Sequence, residues 1–414
     1  MLDSRFIREN ADAVKTNTEE RNMDASVVGS WLQADEKRKH LTQQIEEIRR
    51  QKNAGSKDMD EAERAKIIAS KKELAEYEHQ LQTIEAEWLD LLAQIPNMHF
   101  ADVPKGKTEE ENEVTFQSPK LTEFSFTPKN HFDLAVVRKL IEFERGSKVA
   151  GSQFYYLQGD LVLLEMAVIQ FVFDIAVQHG YYPLHTPDLA RSRYYLGTGY
   201  SPRGDEAQTY EIKGEDLGLI ATAEVTTAGY HADETLDLAK LPIKYISLSH
   251  CFRKEAGAYG KYSKGLYRTH QFTKLEMFAY ATPEQSEELH QEILHIEEEI
   301  LQKLNIPYRV LNICAGDLGA MAAKKYDLEA WMPGRGDFGE VTSASNCTDY
   351  QARNLGIKYK DKQGKSQYAH MLNGTAAALS RMLIAILENY QQEDGSIRVP
   401  EALQKYMLGG KTVI

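Results

Sequence analysis

The sequence predicts an α+β protein: an N-terminal antiparallel two-helix coiled-coil arm, then a domain with a mainly antiparallel β-sheet flanked by helices. Three observations carry that expectation. Heptad periodicity is sustained between Trp31 and Ile95, a stretch rich in proline and charge follows, and from about Phe132 onward helical segments alternate with short β-like runs. At 414 residues the chain exceeds the length at which one core usually stops growing, so two domains are expected. Their predicted extents are 1–100 for the arm-bearing domain, 101–130 for a linker and 131–414 for the second domain.

In the second arm helix Ile67, Leu74, Leu81, Trp88 and Ile95 fall at one heptad position, and Tyr77, Ile84 and Leu91 at the other. The first helix is weaker. Ala34, Leu41 and Ile48 alternate there with Trp31, Arg38, Ile45 and Lys52, which places two long basic stems in the stripe. Gly55-Ser56-Lys57-Asp58 is a turn signal, and a connection that short requires antiparallel packing. At 1.5 Å per residue the finger spans roughly 40–50 Å. Arg49, Arg50, Lys52 and Lys57 gather towards its tip, which suits a nucleic-acid phosphate backbone; a dimerisation or spacer coiled coil explains the periodicity equally well.

Pro104, Gly106, Glu109-Glu110-Glu111 and Pro119 place turn residues and charge where a core would not, hence the linker. Beyond it, Leu161–Gln178 and Ser286–Leu304 read as helices, and Ile243–Leu248, Gln271–Tyr280 and Tyr308–Ile313 as strands.

The formal charge of −13 argues against wholesale coating of nucleic acid, so any polyanion must meet a local basic patch. No apolar run approaches the roughly 20 residues of a membrane helix. Met1–Asn10, with Asp3, Arg5, Arg8 and Glu9, lacks the apolar stretch of a secretory signal, and a cytoplasmic location with no membrane partner is expected. Cys251, Cys314 and Cys347 are odd in number and far apart, which favours buried free thiols over disulfides or a metal site.

Chemistry concentrates in a hairpin from Arg253 to Glu276. Arg253 and Glu255 share one face, and Arg268, His270, Phe272, Lys274 and Glu276 share a row. So many charges cannot form a dry core, which leaves a solvated edge strand or a ligand site. Gly257, Gly260 and Gly265, with Lys261, Lys264 and Arg268, give the intervening loop a flexible basic character. Arginines suit phosphate oxygens, a ring suits a base, and a carboxylate accepts from an exocyclic amine, so a nucleotide site is the better reading. Glu340-Val341-Thr342-Ser343 offers a carboxylate and a hydroxyl, hard oxygens suited to Mg²⁺ on a polyphosphate, although a helix cap has the same composition. Asn373-Gly374-Thr375 precedes an expected apolar helix, Ala376–Tyr390, whose lone strong cation, Arg381, needs either an anionic ligand or an internal salt bridge. Walker A and Rossmann glycine patterns are absent, so another ATP architecture is required.

These residues resemble a known family. FRKEAG followed by GLYRTHQFTKLEMF is similar to the second motif of class II aminoacyl-tRNA synthetases, and NGTAAALSRMLIAILENYQ to the third. Within that class the match is to seryl-tRNA synthetases of the bacterial type, from the opening LDSRFIRENADAV through TAE, KKYDLEAWMPG and SNCTDYQAR to the closing VPEALQKYM. The resemblance implies a class II catalytic domain that converts L-serine and ATP into seryl-adenylate, then passes the seryl group to the 3′ end of tRNA(Ser) held by the arm.

By the same resemblance, Arg253, Glu276 and Arg381 are the catalytic set. Arg253 would bind the α-phosphate and the serine carboxylate, Glu255 the adenine amino group, Phe272 the adenine face and Arg381 the γ-phosphate, with the Thr269 backbone along the adenine. Lys254, Val341 and Thr342 belong to the implied ATP-binding stretches, and Glu340 and Ser343 would hold Mg²⁺. Serine would be held by Thr222, Ala223, Glu224, Arg253, Glu276, Asn373 and Thr375. A pocket that hydrogen-bonds a hydroxyl rejects alanine, and threonine must be excluded by size. Gly151–Pro187 resembles the first class motif and implies a homodimer. The chain departs from the family pattern at Tyr200–Gly204, at Ala376 and Ser380 where glycines are common, and at Gln153 where arginine is usual.

Overall fold

The computed structural model describes residues 1–53, 61–200, 209–255 and 265–414. The expected turn at 55–58, Gly257, Gly260, Lys261, Lys264 and residues 201–204 lie outside them, as do the side-chain surroundings of Lys52 and Ile67. The chain divides into two compact units, Met1–Met98 and His99–Ile414.

The first unit contains α1 (Ser4–Glu9), α2 (Ala11–Glu20), α3 (Ser26–Asn53) and α4 (Glu61–Gln94). Helices α3 and α4 pack antiparallel: Trp31 meets Trp88 with ring centroids 5.7 Å apart, while Arg49 reaches Glu78 at 2.8 Å. Arg38 occupies the apolar stripe by laying its guanidinium 5.0 Å from the Trp88 ring centroid. Ile95, expected as the last heptad position, lies one residue beyond α4 and is nevertheless fully buried. At the tip the described arginines are exposed and paired, Arg49 with Glu78 and Arg50 with Glu47.

The second unit is built on an eight-stranded sheet: β1 (Glu113–Gln117), β2 (Tyr182–His185), β3 (Ile243–Phe252), β4 (Gln271–Ala281), β5 (Tyr308–Asn312), β6 (Lys324–Met332), β7 (Asp337–Asn346) and β8 (His370–Ala378). In space they run β1-β5-β6-β7-β8-β4-β3-β2, antiparallel except for the β2–β3 pair. The segment expected as a linker is therefore corrected: residues 99–130 belong to this unit, and β1 pairs with β5. All five of its residues are exposed, as suits an edge strand, where one side of the ladder faces water.

The predicted helix Ala376–Tyr390 is also corrected. Strand β8 continues to Ala378, and the helix that follows, α5, begins at Leu379 and ends at Asn389. Three successive alanines carry high helix propensity, but here Ala377 and Ala378 pair with Leu275 and Lys274 of β4 and Ala376 lies between paired residues. Glu340–Ser343 lies inside β7, which removes the helix-cap alternative.

Strand β4 shows how one element serves two purposes. Leu275, Met277, Ala279 and Ala281 enter the main core, packed with residues of Asp160–Gln178, Pro283–Lys303 and α5. On its other face Phe278 and Tyr280 join a smaller core, leaving Phe272, Lys274 and Glu276 to line a cavity. The three cysteines are buried and free.

Candidate active site

Two β-bulges decide which side chains reach the cavity. Between β6 and β7, Leu328 pairs with Thr342 but Glu329 with Glu340, so Val341 is an extra residue. Strict alternation would send positions 340 and 343 to opposite faces; the bulge brings both to the cavity. Between β4 and β8, Leu275 pairs with Ala377 and Glu276 with Thr375, leaving Ala376 extra, so Asn373, Thr375 and Ala378 all line the same wall. The departure at Ala376 thus sits on a bulge with its side chain fully buried.

The cavity has a volume of about 330 Å³, and its wall carries five cations (Arg253, Arg268, Lys274, Lys325, Arg381) against four carboxylates (Glu224, Glu255, Glu276, Glu340). A chain of formal charge −13 therefore encloses a locally basic chamber. Most of its cations are already matched: Arg268 with Glu255 at 3.1 Å, Lys274 with Glu276 at 2.6 Å, Arg381 with Glu340 at 3.2 Å, and Lys325 with Asp327 at 2.8 Å. Among the described residues Arg253 has no ion-pair partner; its guanidinium lies 5.3 Å from the Phe272 ring centroid and donates to the Ala221 carbonyl at 3.3 Å.

At one end Glu224 is almost fully buried at the start of the helix Ala223–Gly229. Its Oε1 accepts from Gln351 at 2.7 Å and Asn373 at 3.1 Å, and its Oε2 from the Tyr200 hydroxyl at 2.7 Å. Burial pushes the Glu224 carboxyl up from its ordinary range, with the Glu276 charge adding to the effect and the Gln351 and Tyr200 hydrogen bonds opposing it. Beside it the Thr375 hydroxyl donates to Glu276 Oε2 at 3.2 Å and lies 3.4 Å from Lys274 Nζ.

At the other end burial works to raise the Glu340 carboxyl, yet the Arg381 and Lys325 charges win and draw it down to about 2. Arg381 also lies 4.7 Å from the Tyr267 ring centroid. The Thr269 hydroxyl finds no hydrogen-bond partner among the described residues although it lines the cavity. Glu255, with φ of +49°, holds a backbone conformation rare for a side-chain-bearing residue.

Most of the expected site residues converge on this one chamber: Glu224, Arg253, Glu255, Thr269, Phe272, Glu276, Glu340, Val341, Thr342, Ser343, Asn373, Thr375 and Arg381. Thr222, Ala223 and Lys254 do not form its wall. Thr222 caps the helix that carries Glu224, accepting from the Glu224 amide at 3.2 Å, and Lys254 Nζ lies 5.8 Å from the Tyr210 ring centroid. Ser380 lines the cavity, whereas Gln153 supports it from outside, its carbonyl accepting from the His270 amide at 3.2 Å.

The chain is similar to known proteins over its whole length. Residues 1–99 match the seryl-tRNA synthetase N-terminal domain, and residues 209–390 the class II tRNA synthetase core domain (G, H, P, S and T). The serine–tRNA ligase of Dictyoglomus turgidum is 51% identical over 416 residues, covering 98% of each chain. The chain belongs to the seryl-tRNA synthetase family. A serine–tRNA ligase of Rubrobacter xylanophilus is 49% identical, covering 100% of this chain and 99% of its own. The crystal structure of seryl-tRNA synthetase from Pyrococcus horikoshii complexed with ATP superposes with a TM-score of 0.91 at 39% identity, covering 100% of this chain and 99% of that one. The resemblance carried by FRKEAG, GLYRTHQFTKLEMF and NGTAAALSRMLIAILENYQ is thereby borne out.

For this synthetase the sequence reading missed the groups that hold the site residues. Gln351 and Tyr200 fix Glu224, and Tyr267 underlies Arg381. Gln351 and Tyr267 lie within SNCTDYQAR and GLYRTHQFTKLEMF, but nothing in local spacing marks these supporting contacts, because the partners lie 127, 24 and 114 residues away. Lys325 could have been found, since a lysine two residues before an aspartate on a strand lies on the same face.

Proposed function

We infer that the chain is an ATP-dependent serine–tRNA ligase in which one chamber binds ATP and L-serine side by side and the N-terminal arm receives tRNA(Ser). The observation that carries the site assignment is Arg253, a cavity cation with no carboxylate partner among the described residues, 5.3 Å from the Phe272 ring centroid on a wall that also carries Glu224 and Glu276. A guanidinium so placed needs an anion. The α-phosphate and the serine carboxylate, which must meet for reaction, both supply one.

In the first step a serine carboxylate oxygen forms a bond to the α-phosphorus, and the bond from that phosphorus to the leaving pyrophosphate oxygen breaks. No protein nucleophile is needed; alignment and charge stabilisation supply the rate. Arg253 holds both reacting anions. Phe272 offers a face to the adenine, Glu255 accepts from its amino group, and the orphaned Thr269 hydroxyl is a further polar contact on that wall. Arg381 faces the γ-phosphate. Glu224, Glu276, Asn373 and Thr375 supply the ammonium and hydroxyl partners of serine, oriented by Gln351, Tyr200 and Lys274. Thr222 and Ala223 act through the turn that presents Glu224, and Lys254 through the chain between Arg253 and Glu255. In the second step a hydroxyl of the terminal tRNA ribose attacks the seryl carbonyl and AMP leaves.

Glu340 and Ser343 suit Mg²⁺: the carboxylate is ionised at neutral pH, and the bulge turns the hydroxyl to the same face. Such a ligand-poor pair is what Mg²⁺ takes when phosphate oxygens and waters complete its shell. A Mg²⁺ ion held by Glu340 and Ser343 would supply neutralisation of polyphosphate charge.

A homodimer is supported by exposed apolar groups within 151–187: Tyr156, Met166, Val177 and Tyr182 are each about half exposed or more. No helix among the described residues is long and apolar enough to cross a membrane, which accords with a cytoplasmic location. The test of the whole assignment is ATP–pyrophosphate exchange with serine, threonine, alanine or glycine. Exchange stimulated by serine above the other three is expected; exchange that ignores serine overturns the reading.

A further inference from the structure

Outside the chamber a buried polar pair has no part in the chemistry described so far. Glu388, 1% exposed, accepts from the His131 backbone amide at 2.9 Å and faces His131 Nδ1 at 3.0 Å through one oxygen, and accepts from the Gly334 amide at 2.9 Å through the other. The Leu266 amide donates to His131 Nε2 at 3.2 Å, so Nε2 is the acceptor, and the ring proton sits on Nδ1 and points to Glu388. Neither residue lines the chamber.

What the pair grips gives it a purpose. Leu266 belongs to the limb Gly265–His270 that leads into β4, and this limb carries Tyr267 beneath Arg381, Arg268 against Glu255, and Thr269 in the cavity wall. Glu388 follows Arg381 by seven residues on α5, two helical turns, so both project from one face. Arg381 donates to the Tyr267 carbonyl at 3.4 Å, and Glu388 reaches the Leu266 amide through His131. One helix therefore holds two consecutive residues of the limb. Gly265 permits the approach: its φ is +70°, and a Cβ there would lie 2.1 Å from His131 Nε2.

We propose that His131 and Glu388 are positioning residues that set the limb Gly265–Arg268 for ATP and leave the serine end untouched. The proposal rests on the ATP assignment above. A satisfied core pair that serves stability alone would lower the melting temperature and disturb both substrates alike; a positioning relay acts on the side of the chamber that it holds.

The experiment measures KM for ATP and for serine in ATP–pyrophosphate exchange, with hydrogen exchange of the ligand-free full chain followed by mass spectrometry. His131→Ala is expected to raise KM for ATP about ten-fold, the scale of one buried hydrogen bond, with KM for serine within about two-fold of the parent. Amides in the peptide spanning 265–268 should exchange about ten-fold faster, while those of β3 stay unchanged. His131→Gln, whose side-chain carbonyl can accept from Leu266, should recover most of both effects. Glu388→Gln, which turns an amide donor towards a backbone N–H, should move both readouts in the direction of His131→Ala. Equal rises in the two KM values, unchanged exchange at 265–268, or no recovery with His131→Gln would each overturn the proposal. A parent protein without serine-dependent exchange would instead defeat the ATP assignment, and the hydrogen-exchange arm would still report on the relay.

Discussion

Lys274 Nζ lies 2.6 Å from Glu276 Oε2 on the same face of one strand, and both side chains are more than nine-tenths buried. Two charges taken this far from water are stable only as a pair. Glu276→Leu should therefore lower the free energy of unfolding by roughly 3–5 kcal/mol and abolish serine-dependent exchange. Adding Lys274→Met should restore much of the stability, read by urea unfolding, but none of the activity. Recovery of activity in the double variant would remove Glu276 from the serine site.

Arg253 should be intolerant of every replacement. Arg253→Ala is expected to reduce exchange by about 10²–10³-fold, the scale of losing a donor to developing charge. Arg253→Lys should recover little, because an ammonium cannot reproduce the planar fork with which the guanidinium would engage the two proposed anions. Steady-state exchange at saturating serine and ATP reads the difference.

At the arm, replacing Arg49 and Arg50 together by alanine should leave exchange unchanged and raise KM for tRNA several-fold or more, with a shallower dependence of KM on salt. The existing contacts to Glu78 and Glu47 are exposed, so little stability is at stake. A salt dependence identical to the parent would assign these arginines to the arm alone.

His290 gives the fold an acid limit. It is fully buried, its Nε2 faces the Ala344 carbonyl at 3.0 Å, and burial draws its pKa down to about 4. The unfolded chain takes up a proton near pH 6.5, the native state only near 4, so unfolding gains protons and stability falls as pH drops through that window. The full loss is about 3 kcal/mol. Urea unfolding at pH 7 and pH 4.5 should show most of it, and His290→Gln should flatten the profile.

Much of the architecture was legible because it rests on periodicity. The Leu74–Leu81–Trp88 row and the alternation of β4 are repeats that a sequence displays directly. Failure came where local signals mislead. Ala376–Ala378 reads as helix by propensity but is held in the sheet by β4, and Glu113–Gln117 reads as linker because prolines and charges flank an edge strand whose residues are all exposed. The site residues were legible through their motifs, whereas the bulges at Val341 and Ala376, which let them share one wall, leave no mark on the pattern. Gln351 and Glu388 were invisible for a different reason: their partners lie 127 and 257 residues away.

The internal pairing of the chamber's cations has a consequence for selectivity. With Arg268, Lys274, Lys325 and Arg381 each already held by a carboxylate, a small anion such as phosphate or sulfate finds, among the described cations of the wall, Arg253 alone without one. On the proposed assignment a ligand gains more only by offering something to each carboxylate that it displaces: an adenine amine for Glu255, a metal ion for Glu340, an ammonium for the Glu224–Glu276 end. The wall thus behaves as an exchange of partners rather than as an anion trap, and a molecule that carries only one of those groups gives up most of the binding energy that the full set releases.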